Sequence, residues 1–177
     1  MKNVILVNGI PASGKSSIAR LIADHFNYPI LSLDSIKEPF MMQFADIIDR
    51  PFNRKLGNAA YQAMFQIVNE SPNDSMFVLD AWFGFKDRQV LINYLDDCGI
   101  IKPLEVWNQI SPSNVAERYR SRCGQRIKGH PGEEYIPELM ELANRAEPMN
   151  IGEVFRIEQD SSIDINPLIN WIKKSLN

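Results

Sequence analysis

The stretch Gly9-Ile10-Pro11-Ala12-Ser13-Gly14-Lys15-Ser16 fits the pattern Gly-x4-Gly-Lys-Ser/Thr, and its reading decides the fold. Upstream, Asn3-Val4-Ile5-Leu6-Val7-Asn8 is a short run rich in β-branched and aliphatic residues, too short for a helix and suited to a buried parallel strand. Gly9 ends it. Gly9 and Gly14 allow the backbone to curl so that successive N–H groups converge on one concavity. Ser16-Ser17-Ile18-Ala19-Arg20-Leu21-Ile22-Ala23 continues with helical periodicity, and the positive end of that helix faces the same concavity. Strand, loop and helix in this order form a cradle for a polyphosphate, lined by Gly9, Pro11, Ala12, Ser13, Gly14, Lys15, Ser16 and Ser17. Lys15 would meet the β- and γ-phosphates as a point charge. The Ser16 hydroxyl would join the shell of the Mg²⁺ that a nucleotide carries.

Two further apolar runs end in aspartate. Tyr28-Pro29-Ile30-Leu31-Ser32-Leu33 reads as a strand leading to Asp34, and open parallel sheets bind ligands at the carboxyl ends of their strands, so Asp34 is expected on the edge that carries the loop. Met76-Phe77-Val78-Leu79 leads to Asp80, the form of carboxylate that complements a phosphate loop and can hold Mg²⁺ through water. Trp82, Phe83 and Phe85 follow at the ligand edge, as a substrate wall or as a plug over the sheet. Between these strands, residues 35–70 hold two helical stretches split by Arg50-Pro51. In the second, Leu56, Ala60, Ala63, Met64, Ile67 and Val68 recur at spacings of three and four, as a core stripe does. In the first, Phe40, Phe44, Ile47 and Ile48 share a face. Met41, Met42, Tyr61 and Phe65 are left over, for plain helix packing or for a pocket that takes an acceptor with apolar surface.

The second half reads as a helix over 86–97, a fourth strand over 104–110 and a helix opened by Ser111-Pro112-Ser113-Asn114, where serine or asparagine can cap. Arg118, Arg122 and Arg126 recur every fourth residue, so on a continuous helix they share one face, with His130 a turn further on and Arg120 pointing elsewhere. Such a row is a solvated face or, given its density and the Gly129-His130-Pro131-Gly132 end, a mobile basic lid over about 115–134 that folds onto triphosphate. A helix over 133–145, an edge strand over 152–158 and a terminal helix opened by Asn166-Pro167 complete the chain.

At 177 residues, 45% hydrophobic and 23% charged, the chain fits one soluble domain over 1–177. The early first strand and the lack of a long apolar run point to the cytoplasm and away from a membrane. Cys98 and Cys123 are expected as reduced thiols. A net charge of −3 argues against a generic nucleic-acid binder, which needs a broad basic face.

The phosphate loop, Asp34, the run to Asp80 and the arginine-rich segment together resemble the small P-loop kinases, closest to the chloramphenicol phosphotransferase, zeta-toxin and polynucleotide-kinase-like group. The resemblance implies a three-layer α/β/α P-loop NTPase fold, a five-stranded parallel sheet of order 2-3-1-4-5 and a helical lid. It implies that Asp34 serves as general base on an acceptor hydroxyl, and that the loop from Gln159 to Ile165 flanks an adenine ring. Polynucleotide kinases pair the aspartate with an arginine three residues later, whereas this chain has Lys37, which turns the expectation from a nucleic-acid 5′-hydroxyl toward a small molecule. The function implied is transfer of the γ-phosphoryl group of ATP, with Mg²⁺, to a small-molecule hydroxyl, by a monomer or a homodimer. In that scheme Lys15, Arg122 and Arg126 neutralise the phosphoryl group in transit, Ser16 and Asp80 hold the metal, and Asp34, Lys37, Asp80 and Trp82 meet the substrate. A polynucleotide 5′-hydroxyl kinase, a nucleotide-sugar kinase acting as a toxin, and a nucleotide-gated binding protein are the alternative readings.

Overall fold

In β1 (Asn3–Asn8), Val4 and Leu6 pack with one core cluster and Ile5 and Val7 with another, and all four are buried. A strand that is apolar on both faces needs a helical layer on each side. The computed structural model, which describes residues 2–176, supplies both. On one side α3 (Arg50–Glu70) and α4 (Arg88–Asp97) lay Tyr61, Met64, Phe65, Val68, Leu91 and Leu95 over Val4 and Leu6. On the other, α1 (Lys15–Phe26) and α7 (Asn166–Leu176) bring Ile18, Ile22, Leu168 and Ile172 to Ile5 and Val7.

The remaining strands, β2 (Ile30–Ser32), β3 (Met76–Asp80), β4 (Leu104–Gln109) and β5 (Glu153–Glu158), are all parallel to β1. Their order across the sheet is 2-3-1-4-5, as the resemblance implies. Winding runs to one side of β1 for β2 and β3 and to the other for β4 and β5, so the crevice of a doubly wound sheet opens at the carboxyl end of β1. A third cluster lies there. α5 (Pro112–Cys123) and α6 (Ile136–Arg145) pack Val115, Tyr119, Ile136 and Leu139 against Ile10 and Ala12 of the loop after β1.

Several expectations are corrected by the packing. The second strand starts only at Ile30, and Asp34 sits in the first turn of α2 (Leu33–Gln43) rather than at a strand end. The stripe of α3 that enters the core runs through Ala60, Tyr61, Met64, Phe65 and Val68, while Ile67 is exposed. Tyr61 and Phe65 stack among Phe83, Phe85 and Tyr94, so they and the buried Met41 are core residues and line no pocket. Phe40, Met42, Phe44 and Ile47 are exposed. Helix α5 stops at Cys123, so Arg126 leaves the face it was expected to share with Arg118 and Arg122. Ser111 is the cap of α5, accepting from the Asn114 N–H. Among the described residues no helix is long and apolar enough to cross a membrane.

Gly152, just ahead of β5, lies against the chain at Pro103. A Cβ there would overlap the Pro103 carbonyl oxygen and come within 3.0 Å of its carbonyl carbon. Both are backbone atoms and cannot rotate away. Gly152→Ala is therefore expected to cost about 1–3 kcal/mol, read as a lower urea midpoint; an unshifted midpoint would contradict the close approach.

Candidate active site

The loop after β1 closes through a turn in which Ser13 N–H donates to the Ile10 carbonyl at 3.1 Å, with Ala12 held at a φ of 65°. Gly14 precedes α1 at a φ of 94°. A side chain at Gly14 would run into Gln159 and approach Arg118 Nη1 to 3.0 Å, so glycine is required there on both counts. No side chain caps α1, and while Ser17 N–H donates to the Gly14 carbonyl at 3.1 Å, the N–H groups of Lys15 and Ser16 are left for a ligand.

One cavity of about 1210 Å³ opens from this loop. Pro11, Ala12, Lys15 and Ser16 line it from the loop, Asp34 and Lys37 from α2, Asp80 and Trp82 from the exit of β3, and Arg122 and Arg126 from α5 and beyond. Gly9 and Ser13 lie beneath, with Ser13 buried. Gly14, Ser17 and Arg122 instead line a second cavity of about 430 Å³, walled by Arg118, Gln159, Ile163 and Ile165. Arg122 thus borders both. Of the aromatics after β3, Trp82 and Phe85 line the main cavity and Phe83 is core, so the segment serves as wall and plug at once.

Asp80 is only 3% exposed, and its Oδ1 has no hydrogen-bond partner. Such an oxygen is costly unless a donor or cation meets it. With the Ser16 hydroxyl on the same cavity, the pair fits a Mg²⁺ that arrives with a nucleotide. Among the described residues no three of His, Cys, Asp and Glu gather to hold a metal by themselves.

Asp34 is set between two cations. Its Oδ1 lies 3.1 Å from Lys37 Nζ, and its Oδ2 lies 3.9 Å from Arg126 Nη2. Burial works to raise the Asp34 pKa, but Lys37, then Lys15 and His130, outweigh it, and the net value falls below the usual carboxylate range. The group is ionised at neutral pH. Lys15 is displaced downward, first by its own burial and then by Arg122 and Arg126, with Asp80 and Asp34 pulling the other way. An incoming phosphate would pull it back up. Arg126 also donates to the Tyr119 hydroxyl at 3.3 Å and lies over that ring, while the Tyr119 hydroxyl donates to the Pro131 carbonyl at 2.6 Å. These contacts tie the 124–132 segment to α5.

Sequence reading missed the polar frame beneath the loop. Asn8 accepts from the N–H groups of Gly9 at 2.8 Å and Phe83 at 3.0 Å, and donates to Glu105 Oε1 at 2.7 Å. Glu105, fully buried in β4, also accepts from the Met149 and Asn150 N–H groups at 2.8 and 2.9 Å. Asn108 donates to the Asn8 carbonyl at 2.9 Å and accepts from Gln159 at 2.7 Å. Arg118 completes the frame, donating to the Gln159 backbone carbonyl at 2.5 Å and to the Ser13 carbonyl at 3.3 Å. It is a brace behind the loop, already satisfied. The available signal was a glutamate set between the apolar residues Leu104 and Val106 of β4.

The chain is similar over 98% of its length to 97% of a candidate kinase from Chloroflexus aurantiacus J-10-fl, at 21% identity and a TM-score of 0.78. Deoxyadenosine kinase from M. mycoides, solved with dCMP and dCDP, matches at 18% identity and a TM-score of 0.60, covering 100% of this chain and 99% of that one. Shikimate kinase from Bacteroides thetaiotaomicron matches at 18% identity and a TM-score of 0.58, over 98% of both chains. No protein-family model and no curated protein matches the chain. At these identities the likeness establishes the fold, which is the three-layer α/β fold of the P-loop kinases.

Lys15→Ala is expected to weaken ATP binding markedly in a direct titration, and unchanged affinity would contradict the cradle. His130 provides a pH test. Its side chain is 3% exposed with Nε2 3.0 Å from Glu38 Oε1. Burial, then Arg126 and Lys37, lower its pKa below the ordinary 6.5, against Asp34 and Glu38. The unfolded chain binds a proton as pH falls through 6.5 while the folded chain resists, so stability is full above that pH and declines below it. The Asp34 contribution has the same sign but sets in lower, below about pH 4. Melting temperature should drop between pH 7 and 5.5, less steeply in His130→Gln; equal slopes would exclude His130 as the group responsible.

Proposed function

We propose that the protein transfers the γ-phosphoryl group of ATP to a hydroxyl of a small molecule. The observation that carries this reading is the meeting, in one cavity, of an ionised Asp34 with Lys15 and Ser16 of the phosphate loop and the unpartnered Asp80 oxygen. Mg²⁺, when bound, would draw charge off the phosphate oxygens. The second cavity, between Arg118 and Ile163, would take the adenine, and Arg122 at the junction would meet the phosphates from the opposite side to Lys15.

In the transfer, the acceptor oxygen forms its bond to the γ-phosphorus as the bond to the β–γ bridging oxygen breaks. ADP leaves with that electron pair, and the acceptor proton passes to Asp34. A carboxylate held by two cations is a weak base. That suits a loose transition state, in which the hydroxyl loses its proton late and the aspartate mainly orients it. Lys15, Arg122 and Arg126 would neutralise the equatorial oxygens.

The small-molecule branch of the chloramphenicol phosphotransferase, zeta-toxin and polynucleotide-kinase-like resemblance is favoured by Lys37. It is buried beside Asp34 in place of an arginine fork, and so gives a point charge where a bidentate grip would be. Asp34→Asn is expected to leave ATP affinity nearly intact while lowering turnover by about 10²–10⁴-fold, measured as ADP release with an acceptor found by screening hydroxylated metabolites. Unchanged turnover would remove Asp34 from the mechanism.

A further inference from the structure

The wall of the main cavity away from the phosphate loop is built by α3, by residues 82–88 and by residues 135–149. Five cations stand on it, Arg50, Arg54, Lys86, Arg88 and Arg145, against three carboxylates, Asp87, Glu138 and Glu147. Two of those carboxylates are engaged. Glu138 pairs with Arg50 at 3.1 Å and Glu147 with Arg156 at 2.9 Å. Arg88 donates to the Met149 and Asn150 carbonyls, which are neutral partners. Among the described residues Arg54, Lys86 and Arg145 have no carboxylate within 4.0 Å; Lys86 lies 5.6 Å from the centroid of the Phe85 ring.

This surplus of positive charge sits in a chain whose net charge is −3. Low-dielectric walls focus such a field into the cleft. The donor phosphates already have Lys15, Arg122 and the loop amides, so these three cations are not needed there. A second, independent mark lies on the same wall. Asn53, one position before Arg54 in α3, has a buried Oδ1 with no hydrogen-bond partner, which calls for a donor such as a hydroxyl.

We propose that the acceptor is an anion, a small hydroxylated carboxylate or phosphate ester, held through its charged group by Arg54, Lys86 and Arg145 with a hydroxyl donating to Asn53. This rests on the phosphoryl-transfer reading and narrows its acceptor. Arginine fits either anion bidentately, so the shared chemistry is an oxyanion.

The test fills the phosphate loop with Mg²⁺ and a non-hydrolysable ATP analogue, then titrates inorganic phosphate and acetate into wild type, Arg54→Ala and Arg145→Ala. Both side chains are exposed and unpaired, so the variants should keep the wild-type melting temperature. Wild type is expected to bind at least one of the two anions in the roughly millimolar range or tighter, and each variant should weaken that binding about tenfold or more. Preference for phosphate identifies an ester and preference for acetate a carboxylate. Wild type that binds neither anion, or variants that bind as wild type does, would overturn the proposal.

ADP release is measured alongside, with pools of hydroxylated carboxylates, phosphate esters and neutral polyols. Turnover confined to the neutral pool would overturn this inference and leave phosphoryl transfer standing. Anion binding that is lost in the variants, with no ADP from any pool, would instead sink the phosphoryl-transfer reading and leave the anion site standing.

Discussion

The carboxamide of Asn8 holds three loops in register. It accepts from the first amide of the phosphate loop and from the amide of Phe83 after β3, and it donates to Glu105, which in turn takes the amides of Met149 and Asn150. Asn8 and Glu105 are fully buried, and their polar groups would be expensive without these partners. The carboxylate has donors on both oxygens, so its charge is tolerated in the middle of the sheet. The phosphate loop, the wall carrying Trp82 and the wall carrying Met149 are therefore referenced to one another through two side chains. Their mutual placement does not depend on loop packing alone.

Around that frame the cavity is an electrostatic exception to the molecule. The chain is acidic overall, yet its cleft gathers Lys15, Lys37, Arg122 and Arg126 around Asp34, with further cations beyond. Opposing pulls decide the ionisation states there. Asp34, its side chain half exposed, loses some water to the cleft walls, and that upward pull is overruled by Lys37, whereas Lys15 is close to two carboxylates and is still dominated by the loss of water. His130 follows the second pattern and stays neutral above the acidic range. The site thus carries positive charge that is only partly settled by its own acids.

The architecture was legible because its signals are local. The apolar strand to Asn8, the glycine spacing and the helical pattern after Lys15 each specify an element without help from elsewhere, and the boundaries that close three apolar runs, at Gly9, Asp34 and Asp80, mark one sheet edge. The site residues that follow such boundaries, Lys15, Ser16, Asp34 and Asp80, do converge. What failed was the expectation that the arginine helix persists past Cys123, and part of the face chosen on α3, where Ala60, Met64 and Val68 enter the core but Ile67 does not. The arginine row assumed that α5 continues past Cys123, but the chain turns at Gly124 and sends Arg126 to Tyr119 and Asp34 while Arg118 braces Gln159. Tyr61 and Phe65 were surplus on α3 only until residues 83–85 and α4 supplied the aromatic neighbours that bury them. The polar frame was hidden for a related reason. Asn8, Glu105, Asn108 and Gln159 lie far apart in sequence, and no periodicity links them.

The two outer strands have a further consequence. β2 is three residues long, and β5 turns Glu153, Arg156 and Glu158 outward at the opposite margin. A sheet edge is a row of unsatisfied backbone groups that invites another chain to pair with it, and brevity on one side with charge on the other discourages that pairing. An open sheet with a β-branched and aliphatic interior is in this way kept from adding strands at either end, so the molecule can hold a wide cleft at its centre without becoming adhesive at its rims.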